Sequence, residues 1–133
     1  MKRIAGAVLL ALLGASAAQA EDWRVLPFGP PNLRSELDTD SIAAFETDYD
    51  GTVTTAWFRI TRRDSVSGKR YPIRMERHEL RCDRAETRLA QWADIYPTGV
   101  VAATGSAPIT TPFKPVDLGG RAGHAAALWR AAC

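Results

Sequence analysis

Two histidines, two cysteines and a run of arginines are the residues with most chemical potential in this chain, and their spacing decides how much of it can be used. His78 and His124 would have to converge to hold a metal ion or haem. The C-terminal stretch reads as a helix, on which the step from His124 to Cys133 turns the chain by about 180°. That rotation predicts His124 facing away from the sheet, with His78 facing inward or at an edge, so no metal and no other cofactor is expected. Cys82 and Cys133 have no partner at the spacing of a nucleophilic site. The carboxylates Asp38, Asp40, Asp48, Asp50 and Asp94 are plentiful, but spacing alone pairs no two of them in a cleft. Asp48-Tyr49-Asp50-Gly51 lacks the ligand spacing and closing glutamate of a calcium loop and fits a hairpin turn instead. Gly-x-Ser-x-Gly, HExxH, phosphate-loop and dinucleotide motifs are all missing. The expectation is a protein that is not an enzyme.

The arginines form a different kind of candidate. Arg77, Arg81, Arg84 and Arg88 lie along one predicted hairpin, with Arg77 and Arg81 on one face and Arg88 across from them. Such a stripe could attract an acidic surface or an acidic protein patch. The competing account is a solvated face balanced by Glu76, Glu79, Asp83 and Glu86 and by the acid-rich residues 21–50. The chain as a whole carries 17 Lys and Arg against 15 Asp and Glu. Lys2 and Arg3 supply the entire excess, which excludes charge balance as an argument for nucleic-acid binding.

Those two residues open a leader. Lys2-Arg3 precedes the apolar run Ile4 to Leu13 and the small-residue site Ala18-Gln19-Ala20. This is the pattern of a cleaved secretion signal over 1–20, which leaves one domain over 21–133. Glu21, not a cysteine, follows the cut, so the product is expected in the periplasm or outside the cell and without a lipid anchor. An even pair of thiols on an exported chain implies one disulfide, Cys82–Cys133.

The elements that must position these residues are mostly strands. The sequence predicts a strand at 23–28, another at 35–37, a tight turn or single helical turn over Asp38 to Ser41, and a short strand at 42–45. Thr52 to Ile60 is the densest β-branched and aromatic run. Further strands are expected at 73–82, 87–96 and from Val100, with an irregular connection over 105–120 and a helix over 121–133. Trp57 and Trp92 are expected to be packing residues. Measured from Cys133, one helix face would carry Ala122, Ala126 and Trp129. Alternation along the partner strand puts Leu80 and His78 beside Cys82, facing that helix, with Arg77, Glu79 and Arg81 pointing away.

The ordered succession Asp22-Trp23, Leu37-Asp38-Thr39-Asp40-Ser41-Ile42, Ala56-Trp57-Phe58-Arg59, Glu79-Leu80-Arg81-Cys82-Asp83 with Arg88, Gly99 and terminal Cys133 resembles the surface-adhesin protein E-like family of small exported Gram-negative proteins. The resemblance implies an α+β fold, a six-stranded antiparallel sheet with a C-terminal helix held on one face by Cys82–Cys133. It also implies that Asp38 and Ser41 are structural. The named family member is a lipid-anchored adhesin for host matrix proteins. The expectation here is an envelope or periplasmic binding module, adhesin-like in action, using an open sheet face or an edge strand on a protein or an acidic surface. The edge would also permit a homodimer. The alternative is an inhibitor of a foreign enzyme acting through the loop Arg63–Arg70.

Overall fold

In a computed structural model, which describes residues 22–27, 32–118 and 123–133, seven strands and one helix follow one another. They are β1 (Trp23–Val25), β2 (Leu33–Thr47), β3 (Gly51–Arg63), β4 (Arg70–Arg81), β5 (Glu86–Ile95), β6 (Val101–Ser106), β7 (Lys114–Pro115) and α1 (His124–Ala132). The sheet is an antiparallel meander in the order β1-β2-β3-β4-β5-β6. β7 pairs with β5 through Glu86 and Thr87, so β6 and β7 lie end to end along the same edge of β5. The fold is mostly sheet. Residues 1–20, where the leader was expected, lie outside the described residues, as does Ala122. Among the described residues no helix is long and apolar enough to cross a membrane.

Two expectations about the strands change. The turn expected at Asp38–Ser41 is a bulge inside one fifteen-residue strand, β2. Pairing runs to Asp38↔Trp57 and resumes at Ala43↔Thr55, so four residues of β2 face one of β3. Local side-chain bonds hold the bulge, as Asp and Ser allow. Asp38 Oδ1 accepts from the Asp40 N–H (3.1 Å), and Ser41 Oγ donates to the Asp38 carbonyl (2.7 Å) while accepting from the Trp57 N–H (2.8 Å). The other change lies in 105–120, expected to be irregular, where β7 adds a seventh strand because Lys114 and Pro115 reach the uncovered part of β5.

The helix packs on the face of the sheet that carries Leu37, Ala56, Phe58 and Leu80, and Leu128 completes that core. Leu128 is fully buried, a contribution of about 2 kcal/mol. Cys82 and Cys133 form the disulfide, with their Cα atoms 5.5 Å apart. Of the residues expected to dock the helix, Leu80 and Ala126 are buried and Trp129 is half-buried. Ala126, Ala127 and Leu128 are the buried helix residues, and Cys133 is exposed as the helix C-cap. The buried side therefore centres on Leu128, and the terminal cysteine reaches the sheet from its margin.

Candidate functional site

That rotation of the helix corrects the expectation for His124. Measured from Leu128, His124 lies one turn earlier, on the same side of the helix. Its ring stands 6.2 Å from that of His78, centroid to centroid. His78 in turn sits edge-on to Phe58 at 5.3 Å. The two histidines converge under the first turn of α1, beside Glu76. Burial would raise the Glu76 carboxyl, but the facing imidazole of His78, with Arg74 and His124, outweighs it and holds the group below its usual range. Burial pushes the His124 imidazole down, against the pull of Glu76.

The opposite face of the sheet carries the arginine stripe, and there the side chains are engaged inside the fold. Arg88 is 9% exposed. Its Nε donates to Glu79 (3.0 Å), one terminal nitrogen donates to the carbonyls of Ile109 (3.2 Å) and Thr111 (2.8 Å), and the other reaches Asp50 (3.3 Å). The guanidinium also lies over the Phe113 ring at 4.2 Å. Arg77 donates to Gln91 and Thr55 and stands 3.8 Å from Glu79. Arg81 pairs with Glu86. Arg84 is exposed in the turn after β4. Three of the four arginines thus neutralise carboxylates of the same sheet, and the stripe is not an open cationic surface.

Arg88 has a structural effect that a charge count does not show. The chain leaves the sheet edge after β6 and returns at β7. Between them it crosses the open face, where Arg88 holds the carbonyls of Ile109 and Thr111. On the other side the β2–β3 hairpin leans in through Asp50. The hairpin turns at Gly51 (φ 72°), a left-handed conformation suited to glycine, and Thr47 Oγ1 accepts from the Asp50 N–H at 2.9 Å. Hairpin and crossing segment form two walls, and β4 and β5 form the floor.

The result is a cleft of about 570 Å³. Arg77, Glu79, Arg88 and Gln91 line its floor. Around the mouth stand Phe45, Tyr49 and Ile109, which are 40%, 93% and 85% exposed. No family model, curated protein or solved structure matches the chain. The cleft was not visible in the sequence because its walls come from two segments far apart along the chain, residues 45–50 and 106–110, and the turn and strand patterns around Phe45 and Tyr49 do not say what they face. The one available signal was an apolar side chain inside a turn (Tyr49) or a proline-rich connection (Ile109).

The loop between β3 and β4 is ordered by its own bonds. Asp64 accepts from the Val66 N–H (2.9 Å) and the Ser67 hydroxyl (3.0 Å), and Gly68 closes the turn at φ 70°. These hydrogen bonds hold the Asp64 carboxyl below its ordinary range. Val66 projects from the tip, 94% exposed.

Proposed function

We propose that this protein is an exported, non-enzymatic binding module whose site is the cleft on the helix-free face of the sheet, and that it takes an extended segment of a partner protein carrying an apolar side chain. The observation that carries this is the cluster of Phe45, Tyr49 and Ile109 around the mouth of a pocket whose polar floor is already cross-bonded. Large apolar groups gathered at a concave site favour a ligand that covers them. The lining holds Asp48, Asp50 and Glu79 against Arg77 and Arg88, which favours a peptide over a strongly anionic surface. The resemblance to surface-adhesin protein E-like proteins and the leader-like residues 1–20 agree with a site used in the periplasm or outside the cell.

A display library of random peptides selected on the oxidised protein, then on a Phe45→Ser/Ile109→Ser variant, tests this. Enriched peptides should share an apolar residue and lose binding to the variant. No enrichment, or equal binding to both proteins, would overturn the assignment. The bonded loop tip at Val66 supports a second reading, inhibition of a foreign enzyme by the segment Arg63–Arg70. A partner lost on Val66→Asp and kept on the Phe45/Ile109 variant would move the function there.

A further inference from the structure

The convergence of His78 and His124 places a second set of chemical groups on the helix side of the sheet, across from the cleft and independent of it. Glu76 and His78 are two residues apart on β4 and point to the same side. His124 comes down on them from the first turn of α1. A carboxylate oxygen of Glu76 and one nitrogen of each imidazole all lie within 4.8 Å of one another. Glu76 Oε2 and His78 Nε2 are 3.6 Å apart, and both side chains are only 11% exposed.

Both ring nitrogens of His78 are buried without a hydrogen-bond partner. A buried imidazole left in that state is costly, and such groups call for an explanation. Arg74 lies near Glu76 at 3.6 Å but bonds Asp94 more closely, at 3.0 Å, so the Glu76 carboxylate is not used up by it. Two imidazoles and one carboxylate suit a borderline divalent transition metal and not the hard, oxygen-seeking cations Ca²⁺ and Mg²⁺. Around a four-coordinate zinc ion the donors stand roughly 3.3 Å apart. The Glu76–His78 pair, at 3.6 Å, is already near that separation, and no pair of the three donors is wider than 4.8 Å.

We propose that Glu76, His78 and His124 bind one Zn²⁺ ion, which ties the N-terminal end of α1 to β4 as the disulfide ties its C-terminal end. The placement argues for a clamp. His124 is the first residue of the helix and Cys133 its cap, while Glu76, His78 and Cys82 lie on the same side of one strand and its end. The two ties hold both ends of a nine-residue helix that is too short to be stable alone.

The test is titration of the oxidised, chelator-treated protein with ZnCl₂, with MgCl₂ as control, followed by calorimetry and thermal unfolding. One equivalent of Zn²⁺ should bind. At free Zn²⁺ a hundredfold above Kd the melting temperature should rise by about 10 °C, and hydrogen exchange in the first turn of α1 should slow. Mg²⁺ should do neither. His124→Ala puts the best helix former at a half-buried position, so it should fold and lose both responses. Glu76→Gln keeps the shape and should weaken binding at least about tenfold. Absence of Zn²⁺ uptake by the unaltered protein, or the same uptake and the same slowing in both variants, would overturn the site.

Discussion

Removing Arg88 should damage stability and the cleft together. Its side chain is 7% exposed and bonds two carboxylates, Glu79 and Asp50, that are themselves only 14% and 15% exposed. Arg88→Ala takes the Arg88 partner from Asp50 and leaves Glu79 only the more distant Arg77, at 3.8 Å, and breaking a buried pair in this way costs about 3–5 kcal/mol. The two freed carbonyls add little, because the segment that carries Ile109 and Thr111 can lift and take up water. Against a total stability of about 5–15 kcal/mol for a domain of this size, that is a large fraction. The expected drop in melting temperature is about 15 °C. Arg88→Lys restores the charge but has a single donor atom where four bonds diverge over a planar group, so it should recover less than half of the loss. Urea unfolding measures the change, and hydrogen exchange over 107–113 should quicken in Arg88→Ala at urea concentrations where the rest of the sheet stays protected. The reasoning fails if Arg88→Ala changes stability by less than about 0.5 kcal/mol, the range of an ordinary surface substitution, or if Arg88→Lys matches the unaltered protein.

Two further outcomes follow from the same structure. Replacing both cysteines with serine removes a crosslink across a separation of 51 residues, which should cost about 4 kcal/mol on the loop-entropy model. Urea unfolding followed by tryptophan emission would check it, and a loss under about 1 kcal/mol would mean that Leu128 docks the helix without help. Gly105 faces Trp92 across β5 and β6, and a methyl group there would run into the indole ring. Gly105→Ala should therefore push Trp92 from its place under Arg74, at about 1–3 kcal/mol, seen as a shift in near-ultraviolet circular dichroism; an unchanged spectrum and stability would refute the packing argument.

What the residues alone determined is local or covalent. β-branched runs and turn residues place most of the strands, because period-two alternation and Asp-Gly chemistry act over a few neighbours. Asp38 and Ser41 were recognisable as residues that bond nearby backbone, though not that they would do so inside a continuous strand, since the register of β3 decides whether such a kink is a turn or a bulge. The disulfide followed from there being two cysteines and a leader-like start. The tertiary structure decided the rest. The helix rotates about its axis until Leu128 fills the core, and a terminal cysteine, free to reach from the margin, does not report that rotation; hence His124 meets His78. The arginines, alike in sequence, separate into a buried staple, two internally paired side chains and an exposed one according to which carboxylates the strand register sets beside them. The cleft exists only because the chain between β6 and β7 has to cross the face on which Arg88 waits for its carbonyls. No spacing along a chain encodes where such a crossing will run.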